Sequence, residues 1–183
     1  MRRRRLGREI QAHYLYFVLY SILGWCYEVF LEVVVYRWGF SNRGVLFGPW
    51  CVVYGFGALI LLLTLGPLQR RPVRVGKISI TPVLVFLGIV AVTTVVELLA
   101  SYIMEWTAGE WLWDYTRFAW NFQGRVALNP SIRFGIGGMV FLYVLQPLFR
   151  RLTDSMDDRL LAAVTGGLAA LMAADVVYTF LLK

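Results

Sequence analysis

Five stretches of the chain are predominantly apolar, at about 14–36, 45–68, 83–104, 131–149 and 160–182. Each approaches the roughly 20 residues that a helix needs to cross a bilayer. Lipid offers no partner to unpaired backbone groups, so runs of this length predict spanning helices. The polar positions gather between them. An arginine-rich start (Arg2 to Arg5, and Arg8) is followed by a short turn at 37–44 and a basic segment at 69–82. A long aromatic connection occupies 105–130, and a link of mixed charge occupies 150–159. The pattern predicts an all-α fold: a polytopic transmembrane helical bundle of about five spans, forming a single membrane domain over 1–183.

Orientation follows from the basic residues. The N-terminus, the 69–82 segment and the 150–159 link hold twelve of the eighteen lysines and arginines. These three segments alternate with the other two, so all can face the cytoplasm together. The N-terminus is then expected inside, with the 37–44 turn and the 105–130 connection outside. Counted from the cytoplasmic ends, Glu28, Glu97 and Asp175 lie some fourteen or fifteen residues along their spans, about 21 Å at a helical rise. All three are expected in the outer half of the membrane, level with Arg43, Arg125 and Arg133.

Those carboxylates are the most informative residues of the chain. An ionisable group at membrane depth costs roughly 2.5–3.5 kcal/mol on insertion scales, and it marks a functional site by default. On the first span Tyr14, Ser21, Trp25, Glu28 and Glu32 recur at three-, four- and seven-residue steps and share one helix face. On the third, Thr94, Glu97, Ser101 and Glu105 do the same. The guanidinium forks of Arg43, Arg125 and Arg133 suit such acids. Two readings stand side by side: a buried ion-pair network that fixes helix packing, and an outward-facing polar cavity that binds or relays a substrate.

Two further segments add polar groups at that level. Asn42-Arg43-Gly44, Gly48-Pro49 and Tyr54-Gly55-Phe56-Gly57 crowd the start of the second span. They predict a broken or re-entrant element, with close helix packing through glycine as the alternative. Trp111, Trp113, Asp114, Tyr115, Arg117, Trp120, Asn121 and Arg125 are either interfacial anchors or a folded lid. On the last span Ala163, Gly166, Gly167, Ala170 and Ala174 have small-residue spacing. That spacing predicts close contact within the bundle or a homo-oligomer, with Asp175 as a buried hydrogen-bonding group.

Composition narrows the function classes. With 183 residues, 59% hydrophobic and 16% charged, there is no room for a separate soluble domain. The net charge of +7 sits in inter-span segments, which argues for membrane lipid as a partner and against nucleic acid. Cys26, Cys51 and the lone His13 make no metal or disulfide pattern. The first apolar stretch is too long and too acidic for a cleaved signal peptide. Gly76-Lys77 is followed by Ile78 with no glycine five residues earlier, so it is not a phosphate-binding loop. No zinc-protease motif or nucleophile elbow is present. No cofactor, metal or catalytic residue is expected.

Gly24-Trp25-Cys26-Tyr27-Glu28, Asn42-Arg43-Gly44-Val45-Leu46-Phe47-Gly48-Pro49 and Tyr54-Gly55-Phe56-Gly57 then carry a resemblance. So do Glu97, Ser101-Tyr102, Glu105, Trp113-Asp114-Tyr115 and Asn121-Phe122-Gln123-Gly124-Arg125. From about Tyr14 to Phe149 the chain resembles the ABC-transporter type IV (CmpB-like) permease family of bacterial integral membrane proteins. One departure is Val52-Val53, where the family often has a Pro-Ile pair. The resemblance implies a multi-pass permease of the bacterial cytoplasmic membrane, working with a separate ATP-binding subunit. It supplies no substrate and no catalytic residue.

The expected function is therefore a transport-associated, permease-like component. Its polar cavity would be lined by Trp25, Glu28, Glu32, Asn42, Arg43, Glu97, Ser101, Glu105, Asp114, Tyr115, Asn121 and Arg125. Two alternatives are an intramembrane enzyme acting on a lipid or envelope precursor, with Asp114 or Glu97 as base and Arg125 on an anionic head group, and a non-catalytic membrane scaffold.

Overall fold

The computed structural model describes residues 2–111 and 113–182, with only the backbone given at 2–4, 108 and 182. The side chains of Arg2, Arg3 and Arg4 therefore lie outside the described residues. Among the described residues, five helices are long and apolar enough to cross a membrane: Arg5–Val35, Val52–Arg70, Thr81–Thr107, Leu128–Ser155 and Asp158–Leu181. The only strands described form two two-stranded hairpins. The fold is all-α and polytopic.

In chain order the elements are α1 (Arg2–Phe30), continued by a wide π-helical turn at Leu31–Val35, and α2 (Val52–Arg70). The strands β1 (Arg74–Val75) and β2 (Ile78–Ser79) lead to α3 (Thr81–Ala108), and β3 (Asn121–Phe122) and β4 (Val126–Ala127) to α4 (Leu128–Val140). A second π turn, Phe141–Leu145, joins α4 to α5 (Gln146–Ser155). The last helix, α6 (Asp158–Val177), ends in a third, Tyr178–Leu182. The chain divides into two compact units, Met1–Ile60 with Pro147–Lys183, and Leu61–Gln146.

In the first unit α1 packs along α6. Phe17, Val18, Leu46 and Trp50 form its core, and Tyr14, Ile22, Leu59, Leu168 and Met172 close around them. Lipid is as apolar as leucine, so close approach and polar contacts hold helices together here more than the hydrophobic effect does. Gly24 and Gly55 permit that approach. A Cβ on Gly24 would collide with the Tyr54 ring, and one on Gly55 with Ser21 and the Phe17 carbonyl oxygen. At the opposite end Arg8 donates to the carbonyls of Thr153 at 2.9 Å and Met156 at 2.7 Å. It also pairs with Asp158 at 2.5 Å, so one guanidinium meets carbonyls at the end of α5 and the acidic first turn of α6.

Between Tyr36 and Cys51 the chain is irregular. Gly44 takes φ +98°, and a Cβ there would stand 2.7 Å from the Trp50 carbonyl oxygen. Pro49 lacks an N–H and biases Gly48 away from helical geometry. The helix starts only past it, where Cys51 N–H donates to the Ser21 carbonyl at 3.0 Å. The apolar run that begins at Val45 thus contains a loop before its helix.

The second unit is built on α3 against α4. Leu61, Leu65, Val85, Ile89 and Leu142 are its core. Gly135 and Gly138 let α4 lie close to Phe86, Val90 and Ile89. The π turn frees a carbonyl at Leu142, and Gln69 donates to it at 3.0 Å, which is how such a break is tolerated inside a span. The α3 helix ends at Gly109, φ +81°, whose N–H returns to the Glu105 carbonyl, a left-handed stop that glycine makes without strain.

Candidate functional site

Among the described residues the polar side chains at and beside the 37–51 loop form two clusters in the first unit, and those around Arg125 form one in the second. Glu32, in the π turn that ends α1, is the most fully partnered acid. It accepts from Ser41 Oγ at 2.8 and 2.9 Å and from the Ser41 N–H at 3.3 Å. Arg43 closes on it with two donors, Nε to Oε2 at 3.0 Å and Nη2 to Oε1 at 2.7 Å. This is the bidentate fork geometry expected of arginine and a carboxylate. One turn back, Glu28 accepts from the Tyr54 hydroxyl, and Trp25 Nε1 donates to Asn42 Oδ1 at 2.7 Å. Asn42 in turn donates to the carbonyls of Leu46 at 3.2 Å and Phe47 at 2.7 Å. The acidic face of α1 thus holds the 37–51 loop.

The second cluster secures the same loop from α6. Asp175 accepts from the N–H groups of Phe47 at 2.9 Å and Gly48 at 2.7 Å. It also takes Trp50 Nε1 at 2.7 Å and Thr179 Oγ1 at 3.0 Å. The expected hydrogen-bonding role of Asp175 gains a specific object, a loop with no secondary structure to satisfy its own amides. Trp50 and Ser41 carry no special signal in the sequence. Beside this loop, burial pushes the Cys51 thiol above its usual range.

In the second unit the hairpin β3–β4 turns at Gln123 (φ +55°) and Gly124 (φ +68°). Both central residues are left-handed, as a tight hairpin turn requires, and the turn delivers Arg125 to α3. Arg125 is 6% exposed. Its guanidinium lies between two rings, 3.9 Å from the Trp111 centroid and 4.2 Å from that of Tyr102. Nη2 pairs with Glu105 at 2.5 Å, and Nη1 meets Ser101 Oγ at 3.4 Å. Trp113 Nε1 donates to the Arg125 carbonyl at 2.7 Å.

A turn from Ser101 on α3, Glu97 accepts from the Tyr115 hydroxyl at 2.8 Å. Its other oxygen, Oε2, is buried without a partner, as are Arg125 Nε and Trp111 Nε1. Burial, reinforced by the bond to Glu97, pushes the Tyr115 phenol well above its usual range. Asp114 is used differently. It accepts from the Thr116 N–H at 2.8 Å and hydroxyl at 2.9 Å. Those bonds hold its carboxyl below the usual aspartate range. Asn121 caps the turn, taking the Gly124 N–H at 2.9 Å and donating to the Phe118 carbonyl at 2.7 Å.

Two of the three arginines expected to meet carboxylates do so, Arg43 with Glu32 and Arg125 with Glu105. Arg133 is exposed on α4 and forms no ion pair among the described residues. Tyr102 and Trp111 complete the second-unit cluster although neither was among the residues expected to line the cavity; Trp111 was expected only as an interfacial anchor or part of a lid. Tyr102 adjoins Ser101, but nothing in the sequence says that the hairpin will bring Arg125 onto its ring. Among the described residues no group of three acids, histidines or cysteines is placed to hold a metal ion.

A family model described as "Putative ABC-transporter type IV" matches residues 15–180, nearly the whole chain. The chain belongs to that family. Its reach includes α6 as well as α1 to α5, so the loop anchor Asp175 falls within the family region along with Glu32, Glu97 and Arg125. No curated protein and no solved structure matches the chain. A multi-pass membrane protein of ABC-transporter type is thus the identity that fold and family give together.

Proposed function

We propose that this family member is the membrane-embedded, permease-like component of a transport assembly in the bacterial cytoplasmic membrane. In this reading the N-terminus and the basic segments at 69–82 and 150–159 face the cytoplasm, where a separate ATP-binding subunit docks. Substrate is met from the outside by the polar cluster of the second unit. The observation that carries the reading is Glu97. It is a carboxylate within a membrane span, its Oε2 buried and unpartnered, one helical turn from Ser101 and the Arg125 group. A purely structural acid would be expected to use both oxygens, because an orphaned buried polar atom costs about 1–3 kcal/mol. Such an atom kept inside a span is the mark of a group that binds or relays.

Isolation of the chain from its native membrane in mild detergent tests the assembly. An ATP-hydrolysing subunit in stoichiometric amount is the expected companion; a chain that is stable and always alone would sink the permease reading.

The Glu32 cluster favours a second, scaffold role for its own part of the chain. Both carboxylate oxygens of Glu32 are taken up by Ser41 and Arg43. A closed pair of this kind fixes a loop and leaves nothing for a substrate. Replacing Glu32 and Arg43 together should disturb stability before it disturbs uptake.

A further inference from the structure

Two arginine–glutamate pairs in the same chain are made differently. Arg43 presents its Nε/Nη2 edge to Glu32 and fills both positions. Arg125 meets Glu105 through a single nitrogen: Nη2 holds Glu105 Oε2 at 2.5 Å, while Nε is buried with no acceptor. The Nε and Nη2 hydrogens of a guanidinium point in parallel, a fork matched to two oxygens of one anion. A third donor belongs to the same group. Trp111 stacks on the guanidinium at 3.9 Å, and its indole N–H also lacks an acceptor.

The two partners of this pair differ in freedom. Arg125 is locked by the rings of Trp111 and Tyr102 and by the hairpin turn behind it. Glu105 sits in the last turn of α3 with its side chain 43% exposed. It borders a depression of about 510 Å³ lined also by Tyr102, Ile103 and Trp106. The cation is fixed and its carboxylate lies at an open edge, able to swing outward.

We propose that Arg125 is an oxyanion-binding site for a phosphate or carboxylate group, with Glu105 as the internal carboxylate that an incoming anion displaces. The anion takes the Nε/Nη2 fork with two oxygens and gains the Trp111 N–H. Glu105 turns into the Tyr102–Trp106 depression. The inference deepens the transport reading by naming the class of group its polar cluster recognises. The same chemistry serves a free solute anion or a lipid phosphate.

The test is direct binding to the purified full chain in detergent, by calorimetry, with inorganic phosphate and short-chain phosphatidic acid as probes. Glu105→Gln removes the competing charge and keeps the side-chain shape. It should bind the probe at least roughly ten-fold more tightly than the unaltered chain, since a buried guanidinium is left without its counter-charge. Arg125→Lys, which retains the charge and loses the fork, should bind no more tightly than the unaltered chain. Tightening with phosphate assigns a solute anion, and tightening with phosphatidic acid alone assigns a lipid head group. Equal affinity of Glu105→Gln and the unaltered chain for both probes overturns the proposal, with no reliance on the Arg125 variant folding. Transport plays no part in this measurement. Tighter binding in a chain that shows no uptake would overturn the transport reading alone.

Discussion

Asp175 of α6 accepts the backbone N–H of Gly48 at 2.7 Å, across 127 residues of sequence. The bond joins the last span to a loop that has no secondary structure, and the Phe47 N–H and Trp50 indole bond to the same carboxylate. Removing the acceptor takes a partner from four donors, of which only the Phe47 N–H keeps a second one, Thr179 Oγ1 at 3.3 Å. Each neglected group costs about 1–3 kcal/mol to the extent that water cannot reach it. Asp175→Ala should therefore lower the unfolding free energy of the chain in detergent by at least about 1–3 kcal/mol. Protease sensitivity should rise within 42–50. Asp175→Asn keeps one acceptor oxygen and should fall between. An unchanged cleavage pattern in the alanine variant would show that the loop is held by Leu46 and Trp50 packing alone.

Helix contact in the first unit depends on two glycines that the chain cannot enlarge. A Cβ on Gly55 would stand 2.6 Å from the Phe17 carbonyl oxygen, which is backbone and cannot move aside. Gly57, one half-turn on, has nothing within 4 Å. Gly55→Ala should destabilise by about 1–3 kcal/mol, the usual penalty of overpacking. Gly57→Ala should be neutral or stabilise by about 0.5–1 kcal/mol, because alanine is the better helix former. Thermal unfolding of the two variants side by side separates packing from propensity.

Run length alone made the five helices legible, because apolar stretches that long have no alternative to helix in lipid. The same signal misplaces the start of α2. Val45, Leu46 and Phe47 are as apolar as a helix, yet they form a loop, since Pro49 and the left-handed Gly44 exclude helical geometry there. The Glu32–Arg43 pair was within reach of sequence reasoning, being local and chemically complementary. The Tyr54 bond to Glu28 was not, because it depends on how closely Gly24 and Gly55 let α1 and α2 approach. Nor was the stacking of Arg125 between Tyr102 and Trp111. Hydropathy carries no information on where a hairpin of four paired residues will fold back.

Asp114 gives a pH dependence with a definite sign. Hydrogen bonds from the Thr116 N–H and hydroxyl hold its carboxyl below the usual aspartate range. A group depressed in the folded state adds stability above its unfolded value, about 3.9. That stability is lost as pH falls through the lower folded value. Amide exchange at Thr116 should therefore show constant protection from neutral pH down to about 5 and lose it only below about 4. Asp114→Ala should lack that protection at every pH. Protection that fades already near neutrality would mean that another group governs the turn.

Glu97 and Tyr115 separate function from structure most sharply. The 2.8 Å bond between them leaves Glu97 Oε2 unused, so the acid contributes less to folding than its burial would require of a structural group. Replacing both partners by apolar side chains of similar shape removes a buried donor and a buried carboxylate together. Exchanging both partners of a hydrogen bond for apolar groups of the same shape is nearly neutral or stabilising. Glu97→Leu with Tyr115→Phe should therefore unfold no more readily than the unaltered chain and yet fail in uptake. Glu97→Leu alone strands the phenol and should be the less stable of the two, with a coupling of about 0.5–3 kcal/mol in the double-mutant cycle. A double variant that folds and still transports would remove Glu97 from the mechanism. One that cannot fold would return it to the scaffold, because the unpaired oxygen would then be a tolerated strain and not a site held open for a substrate.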